Sequence, residues 1–581
     1  MDQLPQELVE KITSHIPTDD LKNVLTLTTK FRYAVERYSG AFTEFTLNER
    51  NADRFIERFS GHRLLYLREV IFRPNLPPFW APDNEYEEVE CRESADEIRE
   101  KNECFTRQVQ SLFTTLSIVE KNAGHQHAPS RYRLLVHGPT RLLHDTIYCP
   151  HREFISWRVR LLNTELPLVT SIRSLEMYNV CGEDTDIYHD SHDYPPDYKK
   201  CFNGQELKLD LSVMVGLASK LPNLEYLGCK NGGFEWHEPF CAEGGDEEPH
   251  RHFQHDWDGP RRDARHDFAS AVTSHRAQLP TSLQRANLDF VSPLNRTLAT
   301  VQDRMLPNLV GPALHDPFSS SLRVMTNNLR QLRLWAIIDE SLFRIDDTSQ
   351  PPWPNLEIME IMFHPSRPDG SWYFHGPQGQ GRDAVGYDIT AASYPPFETT
   401  DLDEEMHELA EHRPDVLPCG HNNEFRITPD EARLRPLLEG FARAAAQMPS
   451  LKKALIWSPL CWNPSEEYDE EPERQGFSWA IQYSDEDNGV RLGLGPDPPS
   501  QQEQGYPATR SLNWMVAEWR PDAQLHSLFQ QIGRDKHGED LVEHWEEKYT
   551  HMCSRGFDSD LRTWMFADAY DDPGRIPLSL L

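Results

Sequence analysis

The chain has 581 residues, 38% hydrophobic, 10% aromatic and 26% charged, which is too much core-forming material for a disordered protein and enough length for two to four domains or one extended repeat array. Lys and Arg number 59 against 93 Asp and Glu, a formal net charge of −34 that argues against nucleic acid or anionic lipid as a partner, since both are held by cations that neutralise phosphates. The ten cysteines show no C-x-x-C pair and no run approaches the roughly 20 apolar residues that cross a bilayer, so a soluble cytoplasmic or nuclear protein is expected.

Residues 1–40 read as three short helices. Leu8, Ile12 and Ile16 recur every four residues behind Pro5, whose missing N–H suits a first helical turn, and they form one apolar stripe. Pro17 ends that helix, and Thr18 with Asp19 and Asp20 is expected to cap the next, which carries Leu21, Val24, Leu25 and Thr28 on one side. A third helix carries Phe31, Ala34, Val35 and Tyr38. So small a unit leaves a large share of its apolar area in water and calls for a partner, the alternative being a helical cap over the end of the remaining chain.

Leu4-Pro5, Glu7-Leu8, Ile12, Ile16, Asp20-Leu21, Leu25 and Thr29-Lys30-Phe31-Arg32 follow in the order and spacing of the F-box, which residues 1–40 resemble. Phe31 departs from the pattern, since many F-boxes place a Trp slightly further along. The resemblance implies docking on a Skp-type adaptor of a cullin complex, with Leu4, Pro5, Leu8, Ile12, Ile16, Leu21 and Leu25 including the adaptor-facing residues, some shared with the unit's own core. It further implies a substrate-receptor subunit of an SCF-type cullin ubiquitin ligase that binds an unknown protein substrate through the rest of the chain. Such a subunit is not an enzyme and needs no cofactor or metal, because it works by raising the local concentration of substrate near a charged enzyme.

From 41 to 475 a unit recurs: an amphipathic segment, often a Leu-Pro or Met-Pro stop, then a short apolar strand. The clearest cases are 210–229, 267–290 and 431–457, where proline is expected to end the helix. Segments 171–179, 327–335 and 354–363 read as strands alone, and 51–72 and 105–138 fit more loosely. The units resemble a degenerate leucine-rich-repeat array, so the expected fold is α/β, a three-helix F-box followed by an irregular leucine-rich-repeat-like solenoid with long loop insertions. A doubly wound α/β domain also alternates helix and strand and is the competing reading, although no nucleotide-type glycine loop follows any strand. The insertions at 74–104, 181–206, 230–262, 364–424, 463–476 and 485–510 read as substrate-contacting loops or as disordered tethers. Residues 476–581 are expected to cap the array with strands at 477–483 and 512–519 and helix from about 524 to 549.

Catalytic patterns are weak. His407 and His412 stand five apart, so their rings diverge on a helix, and His250, His252, His255 and His266 with Asp256, Asp258, Asp263 and Asp267 have ligand chemistry without a defined geometry. Gly376, Gly379 and Gly381 lack the strand and Gly-Lys-Ser/Thr of a phosphate loop. Two alternatives to the receptor stay open, a non-catalytic scaffold outside ubiquitin ligation and an enzyme with an unrecognised site, for which paired titratable groups in a pocket would be the sign.

Overall fold

The computed structural model describes residues 4–77, 92–124, 131–142, 157–162, 165–179, 204–231, 257–291, 302–344, 351–401, 424–462, 475–485, 510–547 and 550–552. The N-terminal unit is built from α1 (Gln6–Ser14), α2 (Leu21–Val24) and α3 (Thr29–Tyr38). The rest is organised by one open sheet. Its strands β1 (Glu44–Leu47), β2 (Glu69–Phe72), β3 (Tyr132–His137), β4 (Ile172–Asn179), β5 (Tyr226–Asn231), β6 (Arg285–Asp289), β7 (Gln331–Ala336), β8 (Ile358–Phe363) and β9 (Lys453–Trp462) lie side by side in chain order. Every neighbouring pair among them is parallel. Next, β10 (Gln475–Ser484) and β11 (Arg510–Met515) add antiparallel, and β12 (Leu541–Trp545) pairs parallel with β11 and ends the path.

Parallel neighbours need a crossover, and here helices supply most of them. These are α4 (Ala52–Phe59), α5 (Ala95–Ala123), α6 (Ser212–Ala218), α7 (Asp258–His275), α8 (Pro317–Thr326), α9 (Glu431–Ala446) and α10 (Ala523–Gln530). Contacts run from α6 through α7, α8 and the 3-10 turn Glu340–Phe343 to α9 and α10, and α4 packs on α5. The helices therefore form a layer on one face. Strand side chains alternate accordingly: Leu332, Leu334 and Ala336 of β7 and Met359, Ile361 and Phe363 of β8 join the core beneath the helices, while Trp335, Met362 and Trp457 form a second cluster on the opposite face. A doubly wound sheet reverses its strand order, whereas the described strands β1 to β9 run in chain order, so that reading does not fit.

Three local expectations need correction. Segment 327–335, read as strand alone, is preceded by α8, which Ser319, Ser320 and Ser321 hid because serine favours caps over helix interiors. Its start is nonetheless well specified, with Asp316 as cap accepting from Ser319 N at 3.0 Å and Pro317 in the first turn. Residues 364–401 are not a tether, since Trp372, Tyr373 and Phe374 are buried and Trp372 packs with Trp335 and Met362. Helix over 524–549 extends only through α10 and the short turn Arg534–His537, and 541–545 is a strand instead.

The cover over the second face is fastened by Arg426, which is buried. Its Nε donates to Gln302 O at 2.8 Å, its Nη1 donates to Gly381 O at 2.8 Å and Phe374 O at 3.2 Å, and its guanidinium lies 4.7 Å from the Trp372 ring centre. Burial pulls its pKa down to about 10. Gly381, at φ +68°, adopts a backbone conformation that favours glycine, and a Cβ there would meet Arg426 Nη2 at 2.6 Å and force the guanidinium to shift.

Sheet stability should track burial rather than surface charge. Leu334→Ala, in the core, is expected to lower the unfolding free energy by about 2–5 kcal/mol. Glu357→Ala breaks pairs with Arg330 and Lys452, both at 2.7 Å, but both partners are exposed, so its cost is expected within about 1 kcal/mol. Denaturant titration of both variants checks the order.

Candidate functional site

The N-terminal unit has two apolar surfaces. Its own core is Val9, Phe31 and Ala34, flanked by Leu4 and Val24. Thr13 lies one turn beyond Val9 on the same buried side, its hydroxyl donating to Val9 O at 2.8 Å. The inward stripe of α1 is thus Val9 and Thr13. The four-residue stripe visible in the sequence points elsewhere: Leu8 is 49% and Ile12 45% exposed, and Ile16 is half-buried. Leu25 at 38% and Leu27 at 46% are also open to solvent.

Leu4 is half-buried at the edge of the core, Pro5 is exposed at the helix start, and Leu21 is only 3% exposed and belongs to the interior. Of the seven expected docking residues, Leu8, Ile12 and Leu25 are the large apolar side chains presented openly, while Leu27, which no sequence pattern picked out, and Tyr38, read as part of the apolar side of the third helix, add exposed apolar surface. Five of the large exposed hydrophobic side chains among the described residues fall within the first 38 positions, a concentration that the much longer sheet region does not match.

Caps and ties make the unit well defined. Thr28 caps α3, its Oγ1 accepting from Phe31 N at 3.3 Å, Lys30 Nζ donates to Leu4 O at 2.7 Å, and Arg37 pairs with Glu10 at 2.8 Å. The expected cap at Thr18 is absent: Thr18–Asp20 is a 3-10 turn without a side-chain cap bond, and α2 is a single turn that ends before Leu25 and Thr28.

Among the described residues no group of three or more His, Cys, Asp or Glu is placed to hold a metal. His266 faces Leu309 O at 3.3 Å, Asp263 accepts from Tyr394 OH at 2.9 Å, Asp258 accepts from Tyr387 OH, and Asp267 pairs with Arg160 at 2.6 Å, so these candidates are drawn into separate ties. His250, His252, His255, Asp256, His407 and His412 lie outside the described residues. Gly376, Gly379 and Gly381 form a turn beneath Arg426.

One pair of buried carboxyls does stand together. Asp339 Oδ2 accepts from Asp316 N at 3.3 Å, Asp316 pairs with Arg265 at 2.5 Å, and Ser341 N donates to Asp339 Oδ1 at 2.9 Å. Burial and the neighbouring Asp316 carboxylate push Asp339 up to about 7. Both aspartates cap the start of a helical segment, Asp316 for α8 and Asp339 for Glu340–Phe343, which accounts for their presence without catalysis. Comparison with protein-family models and with curated proteins returns no match, so the functional reading rests on geometry and sequence pattern.

Two measurements follow. Phe31→Ala is expected to destabilise the N-terminal unit by about 3–5 kcal/mol, whereas Leu8→Ala with Ile12→Ala should change its stability by no more than about 0.5 kcal/mol each; hydrogen exchange of the α3 amides separates them. For Asp339 the folded pKa is raised, so the protonated carboxyl favours the fold at low pH and that advantage is lost as pH climbs from about 4 towards about 7. Asp339→Asn removes the titration, and its thermal midpoint is expected to gain on the wild type between pH 4.5 and 7.5; a constant gap would refute the assignment.

Proposed function

We propose that the chain is a substrate-receptor subunit of an SCF-type cullin ubiquitin ligase, with an F-box at residues 1–40 that docks on a Skp-type adaptor and a leucine-rich-repeat-like array that holds a protein substrate. The observation that carries this reading is the outward stripe Leu8–Ile12 with Leu25 and Leu27, left in water by a unit whose core is satisfied without them. Covering each of these half-exposed side chains contributes on the order of 1 kcal/mol, so the face has both the chemistry and the strength for a helical partner's groove. Nine parallel strands in unbroken chain order, with helices on one side, support an array that grows by one unit at a time. The reaction assigned to the subunit is proximity: substrate lysines are brought near a charged enzyme, and no side chain here takes part in bond making.

Co-precipitation with a Skp-type adaptor tests the proposal. The intact chain is expected to bind, and Leu8→Lys with Ile12→Lys to lose binding at least tenfold while circular dichroism stays unchanged. Absence of binding by the intact chain, where a known F-box protein binds, sinks the receptor reading.

A further inference from the structure

The passage from α3 to β1 is five residues long, 39–43, and a link of that kind swivels unless something holds it. Here it is held from both sides. Glu36, buried near the end of α3, accepts from Arg63 Nη2 at 2.6 Å and faces His62 Nε2 at 2.9 Å. Both partners stand on the 3-10 turn Gly61–Tyr66, which leads into β2. Burial opposes the Glu36 charge, but the hydrogen bonds from Arg63 and His62 outweigh it and hold the carboxyl below its ordinary range. Tyr33, nearly one turn earlier on α3, sets its ring centre 4.3 Å from that of His62. Within the link, Phe42 meets the guanidinium groups of Arg63 at 4.7 Å and Arg58 at 4.9 Å, and Arg58 also donates to Ala41 O.

These contacts share one feature. They join the N-terminal unit to the first strand units, and they involve neither the small core of Val9, Phe31 and Ala34 nor the outward stripe. A contact needed only to fold the unit would lie inside it. We propose that Glu36 is a positioning residue that locks the N-terminal unit at one angle to the sheet, so that a partner docked on Leu8 and Ile12 and a protein held by the array stay at a fixed separation. The consequence rests on the receptor reading, while the lock is a property of this chain alone.

The test uses the full chain with fluorophores carried by unnatural amino acids at Lys11 on α1 and Lys121 on α5, both exposed, and reads their distance by single-molecule energy transfer. The wild type is expected to show one narrow peak, Glu36→Ala to lose it, and the exchange Glu36→Arg with Arg63→Glu to restore it. Unlabelled Glu36→Ala should bind adaptor within about twofold of wild type, since the docking side chains lie apart from the joint. If Glu36→Ala does not fold, Arg63→Ala, which opens the same lock from its partly exposed side, is read in its place. A narrow, unshifted peak in the folded variant overturns the lock. Loss of adaptor binding by every form, wild type included, would instead remove the receptor reading and leave the distance result standing.

Discussion

In-order parallel pairing is the constraint from which the rest of this structure follows. Each strand from β2 to β9 joins its predecessor in the same direction, so the chain must travel back between them, and the described helices make that return on one face. Period-two alternation then divides every strand between two environments. One set of side chains enters the helix-covered core, and the other is left for a different cover. Over β7 to β9 that cover includes Trp372, whose neighbours Tyr373 and Phe374 turn to Phe363 in the helix-side core, and Arg426 is its fastener. A cation sealed among carbonyls and a Trp ring, its N–H groups donating to the carbonyl oxygens of Gln302, Phe374 and Gly381, ties separate stretches of chain at one point.

Strand positions were the most legible part of the sequence. The short apolar runs at 171–179, 327–335 and 354–363 each coincide with a strand, because side chains buried on both faces read as nearly continuous hydrophobic stretches. Helices followed by a Leu-Pro or Met-Pro stop were equally readable. What failed depended on tertiary context. The three consecutive serines of α8 are poor helix formers in isolation and are held by Asp316 and burial of Phe318 and Leu322. Residues 364–401 look polar and proline-rich, yet Trp372 on the second face and Tyr373 with Phe374 in the helix-side core seat this stretch on the sheet. Such complementarity has no period and leaves no mark in one chain read alone.

The N-terminal unit teaches the converse lesson. Its conspicuous stripe, Leu8–Ile12–Ile16, was legible but says nothing by itself about which way it faces. The core stripe is the less conspicuous Val9–Thr13, where a threonine fits because its hydroxyl is satisfied by the helix's own carbonyl. Leu21, one of the residues that the resemblance divides between docking and the unit's own core, is buried and lies on the core side. Periodicity identifies apolar stripes, whereas only packing decides which one the protein keeps for itself.

That division bears on how the unit could serve as an anchor. A helical unit this small gains stability from few buried side chains, so an apolar surface used both for its core and for a partner would make folding and binding inseparable. Here the two apolar surfaces fall on adjacent positions of one helix: Val9 and Thr13 inward, Leu8 and Ile12 outward. The remaining requirement is mechanical. The unit joins the sheet through 39–43, beside which the Glu36 carboxylate, the Arg63 guanidinium and the Phe42 ring converge, so under the proposed lock orientation would be carried by a joint distinct from both the core and the exposed Leu8–Ile12 stripe. The core, the exposed stripe and the joint are thus three different sets of side chains, which lets a change in one be read without disturbing the others.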